Sequence, residues 1–188
     1  SMKLLFRHFL LSFFYISCAN SPQKQDPLPA HDEFTIESKI VGETRNINVW
    51  TPPEYKSSSD SLPVMYMADG GIIDEDFPHI ANTIAALIKS KNIPPMILVG
   101  IANTQRRRDL SGPTEVDSDK EIAPAVGGSE KFRAFIKEEL FPEINKRYRT
   151  TSEKSIIGES LSGLFVVETF FLSPDMFDHY IAFDPSLW

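Results

Sequence analysis

The sequence predicts an α/β fold: a mostly parallel sheet that begins with an N-terminal antiparallel hairpin and carries helices on both faces. Three observations carry this. Short, nearly all-apolar runs (residues 62–68, 96–101 and 155–157) alternate with segments whose apolar residues recur at helical spacing. Two runs of alternating polar and apolar residues flank Gly42-Glu43 near the start. Turn-forming residues follow the apolar runs directly, as they do where strands give way to loops.

Taken in order, residues 1–19 read as an export signal. Lys3 and Arg7 form a basic region, residues 9–16 an apolar core too short to span a bilayer as a helix, and Ser17-Cys18-Ala19 the small residues of a cleavage site. Ser1 before Met2 is set aside as a scar or an open-ended reading frame. Cys18 is the only cysteine, so no intrachain disulfide can form. Its position after the apolar core fits lipid attachment in a bacterial lipoprotein, with cleavage after Ala19 as the alternative. The expected location is therefore exported, periplasmic or anchored to a membrane through Cys18. Residues 20–33, with Pro22, Pro27 and Pro29, read as a tether that precedes the folded domain at 34–188.

Residues 34–41 and 45–51 alternate in polarity around the glycine turn and predict the hairpin. Pro52-Pro53 stops it, and residues 56–61 read as a surface loop. The apolar run 62–68 is the first buried strand and ends in Asp69-Gly70-Gly71, a sharp turn. Ile80, Ile84, Leu87 and Ile88 mark a helix, and residues 96–101 the next buried strand. Arg106-Arg107-Arg108, the one basic cluster, reads by default as a solvated loop. Ser129 is placed to cap a helix whose apolar positions run from Phe132 to Tyr148, with Pro142 kinking it or ending its first part. Residues 155–157, 161–172 and 180–183 complete a strand, a helix and a strand.

The net charge of −7 and a pI near 5.1 argue against nucleic-acid binding, which needs a basic face. The four histidines are scattered and suggest no metal site, and no cofactor is implied.

Chemistry is concentrated at Gly158-Glu159-Ser160-Leu161-Ser162-Gly163, between a short apolar strand and a helix. That setting is the sequence form of a nucleophile elbow, which lifts a serine hydroxyl off the sheet on a tight turn. Ser162 stands where the strict G-x-S-x-G pattern has glycine, with glycine one step later. Ligands of open parallel sheets collect at the carboxyl ends of the strands. Gly70-Gly71, Ala102-Asn103, Ser160 and Asp184 all fall there.

Residues 62–71, Val99-Gly100-Ile101-Ala102-Asn103 with Arg106, Arg108 and Asp109, Gly127-Gly128-Ser129, Gly158 to Gly163 and Pro185-Ser186-Leu187-Trp188 together resemble one esterase family of the α/β-hydrolases. It is the family of siderophore trilactone, feruloyl and acetyl-xylan esterases and esterase D, and the similarity is greatest to its siderophore-esterase branch. The resemblance implies a hydrolase sheet incomplete at its C-terminus. It implies Ser160 as nucleophile and the N–H groups of Leu161 and Gly71 as oxyanion donors. The histidine base and usual acid are expected beyond Trp188. Asp184 is a candidate acid and His179 a poor candidate base, whereas Asp69 reads as a turn residue. Arg106 or Arg108 is a candidate for attracting an anionic substrate, with pairing to Asp109 as the plainer role.

Two functions follow. One is a serine-dependent carboxylic ester hydrolase acting on a small-molecule ester such as a siderophore lactone. The other is a non-catalytic, hydrolase-like lipoprotein that serves as a binding protein.

Overall fold

The computed structural model describes residues 26–118 and 125–187. The signal, Cys18 and the first part of the tether lie outside these residues. Six strands form one sheet: β1 (Asp32–Ser38), β2 (Glu43–Trp50), β3 (Leu62–Met67), β4 (Ile97–Ile101), β5 (Thr150–Glu159) and β6 (His179–Phe183), in the spatial order β1-β2-β4-β3-β5-β6. β1 and β2 form the expected antiparallel hairpin, and β2 pairs antiparallel with β4. The β4-β3-β5-β6 half is parallel.

Strand periodicity divides the core into two layers. On one face Ile47, Val49, Val64, Tyr66, Ile97, Val99 and Ile101 pack against α3 (Ser129–Phe135), α4 (Phe141–Arg147) and α5 (Leu161–Leu172) through Phe132, Phe135, Ile144 and Phe165. On the other, Trp50, Met65, Met67 and Leu98 meet α1 (Phe77–Lys89) through Phe77, Ala81 and Ile84. Helices therefore cover both faces, as the alternating apolar strands require.

Several elements differ from the sequence expectation for identifiable reasons. β5 is much longer than residues 155–157, because its polar first half pairs with the start of β3. The register shifts between Leu62 and Val64, where Pro63 has no N–H for the ladder. Ser129 does not cap the helix: the cap position is Gly128, and Ser129 is a buried first-turn residue beside Arg133. A Cβ at Gly128 would lie 2.8 Å from the Arg108 carbonyl, so the backbones of Arg108 and the helix start touch there. A π-helical stretch, Ile136–Leu140, joins α3 to α4, whose second residue, Pro142, cannot donate a hydrogen bond to the preceding turn. Of the stretch read as a tether, Asp32 and Glu33 already belong to β1, and residues 26–31 lie along α1: Asp26 bonds His79 at 2.5 Å and the Pro27 carbonyl accepts from Asn82 at 2.8 Å.

The arginine cluster is not a solvated loop but part of a short helix, α2 (Arg106–Leu110). What orders it is a buried cation. Arg45, fully buried on β2, donates to Asp109 at 2.5 Å, to Glu43 and Thr104 at 2.9 Å, and to the Ala102 carbonyl at 3.1 Å. Its guanidinium also lies 5.1 Å from the Phe132 ring centre. Arg108 closes the network by bonding both Glu43 and Asp109 at 2.7 Å. A buried cation is tolerable only when its charge and most of its hydrogen bonds are matched; groups from β2, the β4–α2 loop and α2 match the charge and bond both Nη groups, while Nε has no partner among the described residues.

Two outcomes follow. Asp109→Ala leaves Arg45 buried without its main counter-ion, and urea unfolding should show a loss of about 3 kcal/mol; a loss below about 1 kcal/mol would mean the network is not needed for stability. Hydrogen bonding to Arg108, more than any opposing burial, lowers the Glu43 carboxyl from 4.5 to about 2. Ionised Glu43 therefore stabilises the fold above about pH 4.5, and this contribution is lost as pH falls toward 2. The acid limb of stability should be flatter in Glu43→Gln, and an unchanged limb would refute the assignment.

Candidate active site

The turn from β5 to α5 takes one residue. Ser160 occupies it with φ 55° and ψ −116°, a backbone conformation sparsely populated by any residue with a Cβ. Such a conformation persists only where the surroundings impose it. A Cβ on Gly158 would lie 2.5 Å from the carbonyl carbon and oxygen of Ser162, and one on Gly163 3.1 Å from the Phe183 carbonyl oxygen. Strand and helix thus meet backbone to backbone. Ser162, in the motif's substituted position, is buried and ties the turn together: its Oγ donates to the Glu159 carbonyl at 2.8 Å and accepts the Glu159 N–H at 2.9 Å.

The Ser160 side chain is exposed on the carboxyl-end rim of the sheet, with its Oγ 3.2 Å from the Ser186 Oγ. The Ser160 N–H donates to the Phe183 carbonyl at 3.1 Å, and its carbonyl accepts the Ser186 N–H at 3.0 Å. Leu161 opens α5, so its N–H is one of the first-turn donors that the helix itself cannot satisfy. A small cleft beside the elbow is bounded by Ala68, Asp76, Gly158, Glu159, Ser162 and Phe183. A larger cavity lies at the opposite end of the sheet, between Trp50, Tyr55, Leu62 and Ile88, away from the strand ends that carry the serine.

The loop after β3 supplies the other side of the rim. Asp69 is buried, with φ 53°, and holds Arg106 through Nε at 2.5 Å and Nη2 at 2.8 Å, with Asn103 Nδ2 at 2.5 Å. Burial alone would raise the Asp69 carboxyl, but the bonds from Arg106 and Asn103 outweigh it and leave the group below the usual carboxylate range. Gly70 crosses the end of β4 so closely that a Cβ would lie 2.3 Å from Gly100 Cα. The Gly71 N–H donates to Glu75 Oε2 at 2.8 Å.

Of the sequence candidates, Ser160 and Leu161 sit together on the elbow, and Gly71 follows β3 at the same end of the sheet, its N–H taken by Glu75. Asp184 follows β6 with φ 39°; it is exposed and makes no hydrogen bond or ion pair among the described residues. Arg108 is committed to Glu43 and Asp109, the plainer of its two expected roles, and Arg106 to Asp69. None of the described histidines bonds Ser160: His31 bonds the Pro29 carbonyl, His79 Asp26, and His179 Glu153. Ser186, Glu75 and the bracing role of Ser162 escaped the sequence reading. Only the order Ser-Leu-Ser-Gly hinted at the last, since a small buried residue there has a hydroxyl to satisfy.

A six-stranded sheet of this order with a serine on the β5–α5 turn is that of an α/β-hydrolase. The chain belongs to the family described as "Putative esterase", whose model matches residues 38–188. It is 31% identical to ferri-bacillibactin esterase BesA of Bacillus subtilis over 85% of this chain and 60% of that protein. It is 28% identical to a siderophore triacetylfusarinine C esterase of Aspergillus fumigatus over 86% of this chain and 58% of that one. An IroE-like serine hydrolase from Shewanella oneidensis, 31% identical, superposes with a TM-score of 0.76 over 85% of this chain and 52% of its own. The chain thus spans between half and two thirds of the length of these relatives.

The backbone contact at the elbow has a direct test. Gly158→Ala places a methyl 2.5 Å from the Ser162 carbonyl and should cost about 1–3 kcal/mol in chemical unfolding. Wild-type stability in this variant would disprove the close approach.

Proposed function

We propose that the full-length protein is a serine-dependent carboxylic ester hydrolase working through an acyl-enzyme on Ser160, with siderophore lactones as its substrate class. The observation that carries this is the strained Ser160 backbone, held between Gly158 and Gly163 with its hydroxyl exposed at the strand ends. Membership of an esterase family and relatives named as siderophore esterases support the choice of reaction and substrate.

In this reading a histidine base takes the Ser160 proton as Oγ attacks the ester carbonyl. The described histidines are bonded elsewhere, so the base comes from outside the described residues. The carbonyl oxygen becomes an oxyanion that accepts from the Leu161 N–H, with the Gly71 N–H as second donor. The C–O bond then breaks, the alkoxide leaves with the proton from the histidine, and water reverses the sequence to release the acid. Arg106 is the cation at the rim, already matched by Asp69. Export, with Cys18 as lipid attachment point, belongs to the same proposal and rests on the basic and apolar pattern of residues 1–19.

The alternative, a hydrolase-like binding lipoprotein without turnover, draws on the absence of a histidine on Ser160 among the described residues. Turnover of p-nitrophenyl acetate and of a catechol trilactone by the full-length protein separates the two. Ser160→Ala should lower the rate by about 10³-fold or more with an unchanged circular dichroism spectrum. Equal rates in the two proteins favour the binding reading.

A further inference from the structure

Glu75 does something that the proposed reaction does not use. Its carboxylate accepts the Gly71 N–H at 2.8 Å and the Asn103 N–H at 3.2 Å from each oxygen. These two N–H groups belong to loops that follow different strands, β3 and β4, and they converge on one anion. Converging backbone N–H groups of this kind form an anion-binding concavity. The carboxylate is pressed onto the backbone, since a Cβ on Gly71 would lie 2.6 Å from Oε1. Glycine at that position is what leaves room for an anion.

The charged surroundings do not favour a carboxylate there. Asp69 faces it from the end of β3 and Asp76 from the turn into α1. Arg106 of α2 is the nearby cation, but Asp69 holds its Nε and Nη2. Burial, opposed by the two N–H bonds and reinforced by Asp69 and Asp76, raises the Glu75 carboxyl above its ordinary value. The two N–H groups are thus the main features holding this anion in place.

We propose that the Gly71 and Asn103 N–H pair is a carboxylate-binding site, closed in this structure by the tethered carboxylate of Glu75, and that it takes an external carboxylate when Glu75 leaves. The ligand class is a small monocarboxylate, of which an ester hydrolase releases one per turnover; that link to catalysis rests on the proposed role of Ser160, whereas the site itself does not. If Ser160 is the nucleophile, the Gly71 N–H becomes available to the oxyanion only after Glu75 withdraws. Glu75 is then a positioning residue that competes with substrate.

Amide NMR of the full-length protein, with acetate as the probe, tests this independently of turnover. In Glu75→Ala the Gly71 and Asn103 amide resonances should shift saturably with acetate, at about ten-fold lower concentration than any shift in wild type. A folded Glu75→Ala protein with no saturable shift, or wild type responding equally, overturns the proposal. Glu75→Gln guards against a variant that fails to fold: in wild type the two amides should titrate together as Glu75 protonates, and in Glu75→Gln that titration should vanish. Its persistence in Glu75→Gln, or its absence in wild type, also overturns the proposal. Ser160→Ala should leave all these shifts in place, so failure of the esterase reading is distinguishable from failure of this one.

Discussion

The approach of β5 to α5 is the constraint on which the functional end of this molecule depends. Two glycines, Gly158 and Gly163, remove the side chains that would hold the strand and helix apart, and the chain reverses through a single residue between them. That residue must then accept a positive φ, which costs of the order of 1–3 kcal/mol. The cost is offset by packing and by the pair of Ser162 hydrogen bonds. The same two glycines also position what lies beyond the helix. Gly163 sits against the Phe183 carbonyl and Pro185, so β6 and the 184–187 turn are seated on the elbow, and Ser186 is brought to Ser160.

Two carboxylates on the opposite side of the rim show how environment separates like groups. Asp69 and Glu75 are both removed from water to some degree, and desolvation pushes both upward. Asp69 has a guanidinium fork and an amide to offset burial, and its carboxyl falls below the usual range. Glu75 has only backbone N–H groups and faces two like charges, and its carboxyl rises. The first is held rigidly as an anion. The second has less support as an anion, bound only by the Gly71 and Asn103 N–H groups.

Much of this arrangement was legible in the residues. The alternation around Gly42, the apolar runs at 62–68 and 96–101, and the small residues around Ser160 each encode a local structure whose cause lies within a few positions. The order of elements then sufficed to place Ser160 and Gly71 at one end of the sheet. What escaped was decided by contacts distant in sequence. Arg45 shares the core-facing parity of Ile47 and Val49, but that a charged side chain can stay fully buried there is decided by Asp109, 64 positions later, which meets it. Ser129 looks like a cap but is drawn inward beside Arg133. The polar start of β5 becomes strand because β3 offers it a partner. Glu75 resembles any acidic loop residue until Asn103 is folded onto it.

The Arg45 network joins the N-terminal hairpin to α2 by charge, whereas its seat on β4 and the core is made of the strand ladder and apolar side chains, with hydrogen bonds such as Ser38 to Glu139 at its edge. These two kinds of attachment respond differently to temperature. Hydration of charged groups becomes less favourable on heating, so the penalty for keeping Arg45 and Asp109 out of water shrinks, while the stabilisation from apolar burial levels off. The ionic joint therefore gains relative weight as the molecule warms, and the hairpin is held to α2 most firmly in relation to its surroundings near the top of the folded temperature range.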